Sequence, residues 1–292
     1  MRTVLICHAD DPLNFEGLAR WLASFTDLAG IVVLHEPRQR LWRRLKREYR
    51  RVGALRLLDV FAFRLWYRLF LKRRDRVWEE RKLAELRAAY PPLTEATKVL
   101  HVSSPNTPEV ERFVRELAPT LMFARCKTLL KPAVFTIPTH GTYVMHPGIC
   151  PEYRNAHGCF WALARNDLER VGMTLLRIDR GVDTGPVHGY YRYDYDEAVD
   201  SHVVIQHRVV FDNLDVLARK FHEIAASQSR SLDTTGRASG EWGQPWLTAY
   251  WTWRRAAQRR RSWQSRSSTT TSSSRTATTP AVSPAPEQPV TS

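Results

Sequence analysis

The residues best suited to chemistry in this 292-residue chain gather between Thr139 and Val187. His146 ends an apolar run, and Pro147 behind it removes a backbone donor and fixes the turn. An imidazole placed there can move a proton, or donate to a developing negative charge, near neutral pH. Asp183, 37 residues further on, lies in the turn Gly181-Val182-Asp183-Thr184-Gly185-Pro186, whose glycines permit positive φ or close backbone approach. A carboxylate in that turn can orient an imidazole, stabilise its charged form or relay a proton through water. Between the two, Asn155 and His157 are readable as further site residues or as caps of a helix starting near His157. A lone histidine at a strand end is commonly a scaffold residue. The combination within one segment is what points to a site.

The elements that must position these residues follow from the hydrophobic pattern. Val4–Cys7, Ala29–Leu34, Val99–Val102, Thr120–Phe123, Thr142–Met145, Met173–Ile178 and Val187–Tyr193 are short apolar runs that predict strands. Helical spacing predicts helices at Leu18–Phe25, over 38–87, at Pro108–Ala118, at Gly158–Arg165 and over 200–226. Strands alternating with helices predict an α/β fold, an open and mostly parallel Rossmann-like sheet with helices on both faces. In such sheets sites lie beyond the carboxyl ends of the strands, where His146 falls. The loop after the first strand, His8–Phe15, contains no glycine and two acids, which makes it a poor phosphate cradle and excludes a dinucleotide fingerprint.

His146-Pro147, Pro151, Tyr153-Arg154, a helix, a strand and then Asp179-Arg180-Gly181-Val182-Asp183-Thr184-Gly185-Pro186 resemble the folate-dependent formyltransferase family. That family includes the glycinamide ribonucleotide, methionyl-tRNA and sugar-amine formyltransferases, and the likeness extends more loosely from Met1 to about Tyr195. The resemblance implies an enzyme that transfers a formyl group from 10-formyltetrahydrofolate to an amine, with a tetrahedral oxyanion stabilised while a proton leaves nitrogen. It assigns His146 and Asp183 to catalysis. The family's asparagine two residues before the histidine is replaced here by Val144, which has no donor, so Asn155 or His157 is expected to compensate. The folate pocket is expected from Lys127, Thr128, Leu129 and Leu130 on one loop and Ile178, Asp179, Gly181 and Val182 on another. Arg125 and Lys127 are candidates for the donor's glutamate tail or an acidic substrate. No metal site is expected.

Lys and Arg number 44 against 30 Asp and Glu, a formal net charge of +14. Residues 38–87 alone carry +12 and residues 254–292 carry +6, which leaves the rest of the chain mildly acidic. The distribution does not suit a global nucleic-acid binder, and no nucleic-acid partner is expected. Residues 38–87 read either as a helix packed on the sheet with a solvated basic face, or as a surface for an anionic membrane or an acidic partner. The organisation expected is a catalytic domain over 1–235 with the basic insertion at 38–87, an aromatic strap over 236–256, and a disordered Ser/Thr/Pro-rich tail over 257–292. The four cysteines have no metal-binding or redox spacing, and no stretch is apolar enough to span a membrane, so a cytoplasmic or membrane-peripheral protein is expected. A small-molecule amine, such as an amino sugar, is the expected acceptor, since neither the additional domain of the tRNA enzymes nor a glycine-rich phosphate loop is present. A formyl-folate hydrolase, or a catalytically degenerate fold acting as an adaptor, are the alternatives.

Overall fold

The computed structural model describes residues 1–35 and 39–273, the side chains of 39–47 and 264–273 excepted. Its strands are β1 (Arg2–His8), β2 (Asp27–Leu34), β3 (Lys98–Val102), β4 (Leu121–Arg125), β5 (Thr142–His146), β6 (Arg154–Asn155), β7 (Met173–Arg177), β8 (Val187–Tyr191) and β9 (Glu241–Trp242). Seven of them form one sheet in the order β3-β2-β1-β4-β5-β7-β8. Pairing is parallel from β3 through β5 and antiparallel at β5–β7 and β7–β8. The helices are α1 (Ala19–Phe25), α2 (Gln39–Trp66), α3 (Lys72–Ala89), α4 (Pro108–Leu117), α5 (Pro132–Phe135), α6 (Gly158–Ala164), α7 (His202–Phe211), α8 (Leu214–Ala225) and α9 (Leu247–Ser273).

The central strands read as continuous apolar runs because both faces of the sheet are covered. Leu5 and Cys7 of β1, Ile31 and Val33 of β2, and Leu121 and Phe123 of β4 point to one face, where α1, α3 and α6–α9 pack. Their neighbours Val4, Ile6, Val32, Leu34, Met122 and Ala124 point to the other, under α4 and α5. Local signals set the helix starts. Thr107 caps α4 by accepting from the Val110 N–H, with Pro108 in the first turn, and Ser201 caps α7 by accepting from the Val204 N–H.

The basic insertion is built into the body. Its α2 bends at Gly53 (φ 77°) and passes through a π-helical turn at Tyr67–Leu71 into α3. Asp75 of α3 is buried and accepts from the Ser201 hydroxyl at the start of α7 at 2.8 Å. Gly17 lets α3 lie close to the turn after β1, since a Cβ there would come within 2.6 Å of the Leu86 side chain.

One expectation is corrected. The tail expected to be disordered from residue 257 is helical over 257–273, where it continues α9. Trp253 and Ala257 anchor that helix in the main core, and each further residue extends an existing hydrogen-bonded ladder. Residues 274–292 of the expected tail, and residue 38 of the insertion, lie outside the described residues. The outward side of α2 and of the turn after it carries leucines as well as arginines, among them Leu55, Leu58, Leu65 and Leu69.

Candidate functional site

β5 ends at His146, and the fold brings Asp183 to it. The imidazole is buried, its Nε2 is 2.9 Å from the carbonyl oxygen of Tyr153, and its Nδ1 is 3.5 Å from Oδ2 of Asp183. The carbonyl can only accept, so Nε2 carries a proton and donates it. The Tyr153 carbonyl lies against Gly148 and Gly158. The glycines Gly148 and Gly158 come together so closely that a Cβ on either would meet the other's Cα within 2.8 Å, and a Cβ on Gly148 would lie 2.8 Å from His146 Nε2. Asp183 itself takes a positive φ of 52° in its turn, and its Oδ2 accepts from the backbone N–H of Asn155 at 2.8 Å. The carboxylate is the more exposed of the two groups.

The turn around Asp183 is held from three sides. Asp179 accepts from the Gly181 N–H at 2.9 Å and from the Thr184 hydroxyl at 2.8 Å, which closes the loop on itself. Arg154 donates to the Val182 carbonyl at 2.8 Å and to Ser239 at 3.0 Å. Gly185 lies so close to the Arg177 carbonyl that no side chain fits there.

Asn155 and His157 sit in different surroundings. The Asn155 amide donates to the Trp242 carbonyl at 2.7 Å and to Glu241 at 3.2 Å, so its side chain serves β9, while its backbone N–H serves Asp183. His157 precedes α6 in a left-handed conformation (φ 57°) and makes no side-chain cap. Its ring lies 6.3 Å from that of His202, and among the described residues its Nδ1 is buried without a hydrogen-bond partner. Val144 shares the face of β5 with His146 by its spacing of two, and packs with Cys150, Leu176 and Val187.

Residues 75–218 match the family model described as formyl transferase. This segment belongs to the formyl transferase family. Over 91 residues the chain is 35% identical to the methionyl-tRNA formyltransferase of Dehalococcoides mccartyi, covering 31% of this chain and 29% of that one. Over 154 residues it is 29% identical to the enzyme of the same name from Xanthomonas campestris pv. campestris, covering 48% of this chain and 50% of that one. The chain thus spans half or less of the length of these curated relatives. Among solved structures it resembles the phosphoribosylglycinamide formyltransferase of Anaplasma phagocytophilum, with a TM-score of 0.50, 13% identity, and 84% and 99% of the two chains covered. That likeness concerns the fold.

Within the formyltransferase segment, the two loops expected to hold folate meet the same apolar cluster, through Leu130 and Cys126 on one side and Ile178 on the other. Leu130 is buried in that cluster, whereas Leu129 is 60% exposed and free to meet a ligand. Asn106, not foreseen from sequence, clamps this loop by donating to the Leu129 carbonyl at 2.8 Å and accepting from the Lys131 N–H at 2.7 Å. The buried His8 at the end of β1 accepts from the Lys127 N–H at 3.0 Å. Arg125 is committed to the fold, through Asn14 at 2.9 Å and the Met145 carbonyl. It is therefore removed from the candidates for an acidic substrate, while the Lys127 side chain remains exposed.

His157 and His202 also make stability pH-dependent. Burial lowers the His157 pKa to about 4, with the positive charge of Lys127 adding to the effect, and burial lowers that of His202 to about 3. Both rings are neutral when folded, whereas the unfolded chain takes up their protons below about pH 6.5. Stability is therefore expected to fall as pH drops from about 6.5 towards 4. His202→Phe, which fits among Phe63, Tyr67 and Phe160, should flatten that slope in thermal melts between pH 7 and pH 4. An unchanged slope would show that His202 does not contribute.

Proposed function

We propose that the protein is an N-formyltransferase that uses 10-formyltetrahydrofolate as donor and the amine of a small molecule, such as an amino sugar, as acceptor. The observation that carries the reading is the His146–Asp183 pair, a buried imidazole 3.5 Å from a carboxylate at the carboxyl end of β5. When bound, the donor supplies an electrophilic formyl carbon. The attacking amine must lose a proton, and Asp183, the outer member of the pair, is placed to receive it directly or through one water. His146 stands behind Asp183 with its Nε2–H donated to the Tyr153 carbonyl, so Nδ1 is the ring atom turned toward the carboxylate. The missing amide donor at Val144 calls for a replacement, and with the Asn155 side chain engaged on β9 the remaining candidate is His157, whose Nδ1 has no hydrogen-bond partner among the described residues.

A small acceptor is supported by the segment leading into α9. It crosses beside the anchor of Asp183, where β9 pairs with β6 and Trp242 stacks with Tyr153 and Trp161, and so narrows the approach from that side. The turn after β1 is closed by Asp11, which accepts from the Asn14 N–H at 3.1 Å, and offers an exposed Asp10 rather than glycine amides. That favours an uncharged or cationic group over a phosphate.

The test is twofold. A 10-formyltetrahydrofolate analogue should raise the melting temperature, and a panel of amino sugars, glycinamide ribonucleotide and methionyl-tRNA should give a formylated product for a small amine. Formylation of methionyl-tRNA in preference to every small amine would overturn the acceptor class. Formate release without an acceptor would overturn transfer in favour of hydrolysis.

A further inference from the structure

Helix α2 and the turn that follows it are apolar on two opposite sides. Val60 and Phe63 face the core, where the Phe63 ring lies 5.7 Å from Phe160 and 5.2 Å from His202. On the outside, Leu55, Leu58, Phe61, Leu65 and Leu69 follow one another at intervals of three or four residues, a single helical stripe. Their exposures are 85%, 65%, 41%, 59% and 65%. The fifteen residues from Leu55 to Leu69 span about 21 Å at a helical rise of about 1.5 Å per residue. Isolated exposed leucines are ordinary, but a contiguous row of this kind marks a surface that is covered in use.

The charges beside the stripe decide what covers it. Arg56, Arg64, Arg68, Lys72 and Arg73 are all exposed on the same stretch, and the acids of residues 50–73 amount to Asp59 alone. Asp59 is already engaged, by Arg56 at 3.6 Å and by the Thr248 backbone N–H at 3.1 Å. Among the described residues no carboxylate pairs with Arg68, Lys72 or Arg73. A second copy of this face would set like charges against each other, whereas an apolar stripe bordered by cations complements anionic headgroups above a hydrocarbon layer. No helix among the described residues is long and apolar enough to cross a membrane, so the contact is one of lying on the surface.

We propose that the outer face of Leu55–Leu69, with its flanking arginines, docks the protein in the plane of an anionic membrane interface. The docked helix would hold α6 and the His157–His202 pair one helix thickness below the lipid surface, since Phe63 joins the stripe's inner side to them. This inference does not depend on the reaction, and its readout is independent of activity.

The test is co-sedimentation of the full chain with vesicles of phosphatidylcholine, with and without phosphatidylglycerol, at low and high salt. Binding is expected on the vesicles containing phosphatidylglycerol and is expected to weaken with salt. The exposed triple substitution Leu58→Gln, Leu65→Gln and Leu69→Gln should lower binding roughly tenfold or more without changing the melting temperature. Arg68→Gln, Lys72→Gln and Arg73→Gln together should lower it on the order of a hundredfold. Equal binding by either variant would overturn the assignment, as would a wild-type chain that stays in the supernatant. A salt-resistant dimer in sedimentation velocity, abolished by the leucine variant and accompanied by no vesicle binding, would overturn it in favour of self-association.

Discussion

Asp183→Asn should lower formyl transfer by about 10²–10⁴-fold while leaving the melting temperature essentially unchanged. The substitution is nearly isosteric. The amide oxygen of asparagine can still accept the Asn155 N–H now bound at 2.8 Å, so the loop tied by Asp179 and Arg154 keeps its shape. What disappears is the negative charge facing His146 Nδ1 and the capacity to take a proton from the attacking amine. His146→Ala should give a loss of the same order, because the imidazole behind the carboxylate goes with it. If the pair acts as a unit, the double variant will be no worse than the poorer single one. Steady-state kinetics on the three variants, with circular dichroism to verify folding, measures this directly. Full activity in Asp183→Asn would remove the carboxylate from the mechanism.

The second large effect concerns stability. Trp253 is fully buried in the core cluster, 5.8 Å from the Tyr250 ring and 6.5 Å from Phe160, and its indole N–H donates to Glu197 at 2.8 Å. Glu197 also receives Arg260 from the next turns of α9 at 2.7 Å. Trp253→Ala should cost about 3–5 kcal/mol, because the cavity cannot collapse between α6 and α9. For a chain of this size that is a fall in melting temperature of roughly 10 °C. Trp253→Phe, which keeps most of the volume, should lose clearly less. A melting temperature unchanged in Trp253→Ala would mean that α9 is not part of the core.

Most of the sheet was legible in the sequence because its central strands are buried on both faces, and a short apolar run between polar loops suits a buried strand better than any other element. The seven expected strands are present, and the helices at 108–118 and 158–165 differ from α4 and α6 by a single terminal residue. The predicted helix over 200–226 is divided into α7 and α8 at Asp212 and Asn213, a break that periodicity does not register. The helical part of α9 beyond residue 256 was illegible for a different reason. Serine and threonine are weak helix formers, and the anchoring by Trp253 and Ala257 is a tertiary contact.

At the site, residue type and local pattern were enough to say which groups are available and on which element each sits: an imidazole ending β5, a carboxylate in a glycine-flanked turn, and a valine without a donor two residues before the imidazole. Side-chain type and strand period are local properties, so they survive without the fold. Only the tertiary structure decided that Asn155 serves Asp183 through its backbone while its side chain belongs to β9, that Arg125 is consumed by Asn14 and the Met145 carbonyl, and that Asn106 holds the loop carrying Leu129. It likewise decided which of the two apolar sides of α2 faces the core. Residues 55–69 carry leucine or phenylalanine at helical spacing on both sides, so periodicity alone cannot choose, whereas packing of Phe63 against Phe160 leaves the leucine stripe outside. Long-range partners are set by where the chain returns in space, and that depends on the whole core rather than on any one segment's pattern.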